Sequence, residues 1–385
     1  MSVTKGICDA EHVVTLDCVD LRSLSEETDT YDTFLSIYMP VGGIARDTES
    51  FIDARVKDIQ RALGKGDLLD NFQKSLDMAS SYVEARGLGG ERGRAIFVSA
   101  KKGFLEVTRL PVPVDNLMVL DSSPYIKPLA VLRDDYEDYG VVLLDSHRAH
   151  IYLVSTGVVV EEKGLSRDIM SKHKKGGWSQ MRFQRLRKGA IDRFLSDVAE
   201  DIEKVFYDER EDMWRGIILA GPGEAKTALM DKLSQRCRKD VIDTLDMDFN
   251  ITESEMLDRA QDSAEEDEKR KDAQRMADLR KAVFTGEGAV YGIREVVDAV
   301  KAGRVDVVVL EEGKSVPGLL CDGCKSLFDQ SSHHDKCPNC GQVLNHVDQM
   351  EEILEFAQMT GADVDFIQSD PFLQQLGGVA AFLRY

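Results

Sequence analysis

Four cysteines and one seventeen-residue run rich in cations are the parts of this chain best suited to chemistry. Cys321 and Cys324 form one CxxC pair, and Cys337 and Cys340 form a second after an interval of twelve residues. Two residues between sulfurs let a tight turn aim both thiolates at one ion. Gly341, directly after the second pair, accepts unusual backbone angles. Four thiolates in a tetrahedral array suit Zn2+, and a closed four-cysteine shell leaves no position for a substrate, so a structural metal is expected. Iron is the competing ion, because the stretch CPNCG at 337–341 is also a rubredoxin-like knuckle. His333, His334 and His346 lie nearby but are not needed, since the sulfurs already complete the site.

The cationic run is KHKKGGWSQMRFQRLRK, residues 172–188. Lys172, Lys174, Lys175, Arg182, Arg185, Arg187 and Lys188 stand there without one acid, in a chain of formal net charge −20. Cations this close repel one another unless phosphates neutralise them, which makes RNA the natural partner. Gly176 and Gly177 lack Cβ atoms, so backbone amides there can approach a ligand closely or take positive φ. The bland alternative is a basic loop entering a helix, with Ser179 or Gln180 near the cap. The density of charge favours RNA.

Two weaker candidates read as structure. AGPGEAK (220–226) sits at a strand-to-helix turn, where amides can hold a phosphate, but it lacks the GxxxxGK[ST] spacing. Asp145, His147 and His150 occupy neighbouring β positions, and hairpin surface polarity accounts for them as well as acid–base chemistry does. G-x-S-x-G, HExxH and EF-hand patterns are absent from the sequence.

The elements that must position these residues follow from length and periodicity. At 385 residues, with 43% hydrophobic and 31% charged side chains, the chain reads as a globular protein of two or three domains. No apolar run approaches the roughly 18–20 residues of a membrane span, and the first residues lack a signal-peptide pattern, so a cytoplasmic site without membrane partners is expected. Cys8, Cys18 and Cys237 are scattered, which fits reduced thiols. Residues 33–39 read as a strand, 49–87 as two helices meeting at GKGD, and RAIFVSA with FLEVTRL as a strand pair around 101–103. These make an N-terminal α/β domain at 1–135.

A second domain, 136–252, opens with YGVVLLDS, AHIYLVS and GVVVEEK as β runs. A helix over 180–208 follows, apolar at Phe183, Leu186, Ala190, Phe194, Val198 and Ile202. RGIILAG is a strand, and the alternation of strands and helices suggests a mostly parallel sheet. Residues 252–283 read as a long charged helix, a solvated connector into a third domain at 253–385. There IREVVDAVKAG is a helix, RVDVVVLEE a strand, and GGVAAFLRY a closing strand. The four-cysteine ribbon, 319–343, is an insertion in this domain.

Taken together these stretches resemble the archaeo-eukaryotic class I peptide-chain release factors and their Pelota relatives. In the release factors the catalytic loop runs GGQ, three residues, RF, one residue, RLR. Here the loop reads GGW, SQM, RF, Q, RLR. YGVVLLDSHRAHIYLV, ILAGPGEAK, GIREVVDAVKAGRVDVVVL and GGVAAFLRY resemble the family's later segments in the same order, and the four-cysteine ribbon is similar to that of archaeal members. Two departures stand out. Trp178 holds the slot of the family's glutamine while Gln180 stands two positions later, as in bacterial branches with a displaced glutamine. The stop-codon-reading NIKS motif is absent between the first two helices.

The resemblance implies an α/β, three-domain tRNA-mimic architecture with a zinc ribbon in the third domain. It implies a partner, the ribosome, entered at the A site, with a translational GTPase as the delivery protein such a member would take. It further implies hydrolysis of the peptidyl-tRNA ester at the peptidyl-transferase centre. Gly176, Gly177 and Gln180 would do the chemistry, and Lys172, His173, Lys174, Lys175, Trp178, Arg182, Arg185 and Arg187 would bind ribosomal RNA. Without a codon reader, the expected role is codon-independent rescue of stalled ribosomes. The alternative is a non-catalytic A-site occupant, as in the Pelota branch or the hibernation factor Balon, with Trp178 stacked on a base.

Overall fold

A computed structural model of the chain describes residues 19–42, 45–86, 91–136, 138–155, 157–166, 178–208, 215–321, 323–332 and 336–384. They divide into two compact units, one on 136–273 and the other on 19–135 together with 274–384.

In the second of these, α1 (Leu21–Glu26) and β1 (Phe34–Pro40) are followed by α2 (Ala45–Leu63) and α3 (Asp67–Arg86). β2 (Gly93–Ser99), β3 (Phe104–Leu110) and β4 (Leu117–Asp121) complete an antiparallel sheet in the order β3-β2-β1-β4, and α4 (Lys127–Asp135) closes the portion. Side chains alternate across a strand. Leu35, Ile37, Ile96 and Val98 therefore share one face, where Ile59 of α2 and Phe72 and Ala79 of α3 bury against them.

The 136–273 unit carries the candidate loop. β5 (Tyr139–Leu144), β6 (Arg148–Ser155) and β7 (Val158–Ser166) form a meander. α5 (Trp178–Glu203) runs into a π-turn at Lys204–Asp208, and β8 (Gly216–Ala220), α6 (Ala225–Met230), α7 (Gln235–Lys239) and β9 (Val241–Leu245) follow. The sheet order is β7-β6-β5-β8-β9, with β5, β8 and β9 parallel. The sheet expected to be mostly parallel is thus mixed. Its connections at 145–147 and before Val158 are too short for the crossover that a parallel pair requires.

Both faces of this sheet are covered, which is why its strands read as continuous apolar runs. Val142 and Leu144 pack with Phe194, Val198 and Ile202 of α5. Val141 and Leu143 pack on the other face with Met256, Ala260 and Ala264 of α8 (Glu253–Thr285). The stretch expected to be a solvated connector is therefore a packed helix, solvated only on its outer face. Its alanines at four-residue spacing admit a close approach to the sheet without giving an apolar-looking sequence.

The stripe predicted for α5 also needs correction. Phe194, Val198 and Ile202 are buried, Ala190 and Ile191 partly so, but Leu186 is 53% exposed and Met181 54%. A 26-residue helix is about 39 Å long, roughly twice the length of a five- or six-residue strand, so its first turns extend beyond the sheet.

The chain then returns to the unit that holds residues 19–135. β10 (Ala289–Tyr291), α9 (Ile293–Lys301), β11 (Val305–Glu311), β15 (Asp363–Ile367), α11 (Pro371–Gln375) and β16 (Val379–Leu383) build a sheet in the order β10-β16-β11-β15. Between β11 and β15 lie β12 (Pro317–Leu320), β13 (Leu327–Asp329), β14 (Asn345–Asp348) and α10 (Gln349–Thr360). β13-β12-β14 is the small sheet of the cysteine ribbon. No helix among the described residues is long and apolar enough to cross a membrane.

Candidate RNA interface and metal centre

The basic run joins an edge strand to a helix. β7 ends at Ser166, whose register partner is Arg148, and α5 begins at Trp178. Lys172, His173, Lys174, Lys175, Gly176 and Gly177 lie outside the described residues. Trp178 and Gln180 stand in the first turn of α5, so the N–H groups of Trp178, Ser179 and Gln180 have no intrahelical acceptor. Arg182, Arg185 and Lys188 are exposed and Arg187 is half-buried.

The charge on α5 is arranged against the helix itself. Cations fill its first turns, near the positive end of the macrodipole, while Asp192, Asp197, Glu200, Asp201 and Glu203 lie toward the negative end. Each charge so placed costs a few tenths of a kcal/mol, which an anionic partner at the N-terminal end would offset. The acidic half is pinned to the unit: Lys163 Nζ is 2.8 Å from Asp201 and Lys232 Nζ 2.6 Å from Asp192.

Asp145, His147 and His150 do not converge on a common point. Asp145 accepts the backbone N–H of His147 at 2.7 Å and of Arg148 at 2.8 Å, closing the β5–β6 turn. Burial alone would raise its pKa. The two amides and the Arg148 guanidinium outweigh that and hold the carboxyl below the usual carboxylate range. His147 Nδ1 meets the Ser146 hydroxyl at 2.8 Å, and His150 Nδ1 lies 2.7 Å from Glu162.

The AGPGEAK turn is likewise occupied by its own chain. Lys226 is buried, and its ammonium donates to Gly221 O at 2.9 Å, to Gly223 O at 3.1 Å and to Asp246. A lysine turned inward on these acceptors is not presented to a phosphate.

The four cysteines meet as their spacing predicts. Cys321 Sγ and Cys340 Sγ are 3.3 Å apart, Cys324 Sγ and Cys337 Sγ 3.5 Å, and all four sulfurs lie within 4.8 Å of one another. Four thiolates about 2.3 Å from a zinc ion would be separated by about 3.8 Å, so the cluster fits a tetrahedral metal. In each knuckle the residue after the second cysteine is left-handed, Gly341 at φ 79° and Lys325 at φ 51°. Burial pushes the Cys321 thiol up to about 12, whereas the Ser326 hydroxyl and amide hold Cys324 down to about 6. The ribbon is tied to α9 by Lys301, which donates to Lys325 O and lies 4.3 Å from the Phe356 ring centroid. His346 is exposed on β14, and His333 and His334 lie outside the described residues.

Sequence reasoning missed Ser326 and Lys301 as supports of the cysteine cluster, and Arg148 as a clamp on the β5–β6 turn. A period of two along β6 was the available signal for Arg148. Its partner Phe249 comes from a distant segment and gave none.

Comparisons with known proteins find relatives over most of this chain. The family described as bacterial archaeo-eukaryotic release factor family 10 matches residues 124–265, and eRF1 domain 3 matches residues 270–385. Peptide chain release factor subunit 1 of Methanocaldococcus jannaschii is 26% identical, covering 95% of this chain and 96% of its own. The Methanopyrus kandleri protein of the same name is 29% identical over 70% of this chain and 65% of its own. Among solved structures, S. cerevisiae Dom34, a translation termination-like factor, is 16% identical over 76% of this chain and 80% of its own, with a TM-score of 0.42.

Proposed function

We propose that this chain, which belongs to the archaeo-eukaryotic release factor and Pelota superfamily, binds the ribosomal A site and hydrolyses the ester of peptidyl-tRNA without reading a stop codon. The observation that carries the reading is the segment 176–187. It keeps the glycine pair, the Arg182-Phe183 spacing and the RLR cations of a release-factor loop, and it runs into a helix on which Arg182 and Arg185 are exposed.

In this account Gly176 and Gly177 give the backbone a tight path toward the ester. Gln180 orients the attacking water through its amide or stabilises the developing oxyanion through its main-chain N–H, one of the helix donors left without an internal acceptor. One such donor is worth roughly 10²–10³ in rate. The protein need not supply an ionisable base if the terminal ribose hydroxyl of the tRNA relays the proton. Arg182, Arg185 and Arg187 hold ribosomal RNA phosphates and place the helix. The cysteine cluster would hold Zn2+ through Cys321, Cys324, Cys337 and Cys340. The ion's role is to staple the ribbon, with no part in the reaction.

Trp178 favours a second reading. An indole in the slot of the family's glutamine suits a non-catalytic occupant that stacks on an RNA base. Codon dependence and catalysis are tested together by measuring release of labelled peptide from ribosome complexes with a sense codon, a stop codon or no codon in the A site. Equal release from all three supports the proposal; release only with the stop codon would overturn codon independence.

A further inference from the structure

Arg148, His150 and Tyr152 stand at alternate positions of β6 and share one face of the sheet. Phe249, from the segment after β9, inserts between the first two. The Tyr152 and His150 rings stack with centroids 5.8 Å apart and planes at 12°, the His150 and Phe249 centroids are 5.4 Å apart, and Arg148 Cζ lies 3.9 Å from the Phe249 centroid. Four planar groups thus form one ladder, tilted by 53° between His150 and Phe249, and its last rung is a guanidinium.

Part of the ladder's in-plane hydrogen-bonding capacity is already used. Arg148 Nε and Nη2 donate to Asp145 Oδ2 at 3.2 and 3.0 Å, and His150 Nδ1 faces Glu162 at 2.7 Å. Asp145 pairs the guanidinium, so what Arg148 offers a partner is its planar surface. Arg148 has one face on Phe249, its plane is fixed by Asp145, and its side chain is still 45% exposed. Guanidinium planes held in this way are stacking platforms for unpaired bases. The position favours RNA over an aromatic protein side chain. Arg148 pairs in register with Ser166, and the cations of the basic run begin six residues further along the chain.

We propose that the outer face of Arg148 is the landing surface for one unpaired base of ribosomal RNA, at the strand pair from which the chain continues into the basic run. The inference rests on the ribosome-binding reading above and adds a contact which that reading does not require.

The test is base-specific chemical probing of ribosomal RNA in ribosomes bound by the full-length protein, with binding affinity measured alongside. Wild type is compared with Arg148→Ala, Arg148→Lys, Phe249→Leu and Arg182→Ala. Wild type should shield at least one unpaired base. That protection should vanish in Arg148→Ala and equally in Arg148→Lys, which keeps the charge but loses the plane, with binding about ten-fold weaker. Phe249→Leu should weaken protection, and Arg182→Ala should keep it at saturation while lowering the salt slope by about one. Retained protection in Arg148→Lys, or protection unchanged across the Arg148 and Phe249 variants, would overturn the stacking contact and leave ribosome binding intact. Absence of wild-type binding to ribosomes would overturn both readings.

Discussion

Ser123 and Glu355 are 232 positions apart in sequence, and the serine hydroxyl donates to the carboxylate at 2.6 Å. One turn earlier on α10, Glu351 accepts the backbone N–H groups of Ile126 and Lys127, the latter at 3.0 Å. Lys127 also reaches Lys314 O, and Asp348 at 3.2 Å. A buried polar seam thus fastens the 19–135 portion to the 274–384 portion.

That seam predicts a pH dependence. Burial, joined by repulsion from neighbouring carboxylates, raises the pKa of both Glu351 and Glu355 well above the ordinary range. An acid whose folded pKa is raised binds more protons in the native than in the unfolded state. Its contribution to stability therefore declines as pH rises from the unfolded value, about 4.3, through the folded one. Urea unfolding followed from pH 5 to pH 8 should show a falling midpoint. Glu355→Gln, which still accepts from Ser123, should flatten the slope and add about 1 kcal/mol at pH 8. An unchanged slope in that variant would refute the assignment.

Metal content is the second prediction. Purified protein should carry about one Zn2+ per chain, and Cys337→Ser should lose it. Elemental analysis before and after chelation measures this directly. Because the cluster is a closed shell, the chelated protein should melt earlier while any peptide-release activity falls only with ribbon unfolding. Full metal occupancy in Cys337→Ser would contradict a site built from all four cysteines.

How far the sequence disclosed the molecule depends on which signal each element carried. β1, α2, α3 and the β2–β3 hairpin had clear periods and turn residues, so they were legible, as the meeting of the four cysteines was from their CxxC spacing. α10 was not, because Glu351, Glu352 and Glu355 are buried and read as a polar surface. α8 packs through alanines, and a small residue leaves little trace in a hydropathy pattern. Leu186 looked like core because periodicity continues past the end of the sheet that α5 covers. β4 and β9 are five-residue strands without flanking alternation. Phe249 could not be paired with Arg148 from sequence, since nothing local links a loop residue to a strand 101 positions away.

The third prediction concerns the turn after β8. Gly221 has φ 144°, and a Cβ there would lie 1.9 Å from Leu144 O. Gly221→Ala should therefore cost about 3 kcal/mol or more in urea unfolding. Lys226→Met, which strips two carbonyls and Asp246 of their cation, should cost about 2 kcal/mol. Neither should reveal a phosphate site: calorimetry of wild type with inorganic phosphate should show no saturable heat. A saturable signal lost in Lys226→Met would restore the phosphate reading.

The measurement that bears most directly on the central claim is release of labelled peptide from purified ribosome–peptidyl-tRNA complexes with no stop codon in the A site. Wild type, Gly177→Ala and Gln180→Ala would be run side by side, with ribosome binding followed by sedimentation. The account predicts release by wild type and a fall of roughly 10²–10³ in each variant, while binding persists. Binding by all three proteins with release by none would contradict it, and would leave Trp178 as the working residue of an A-site occupant.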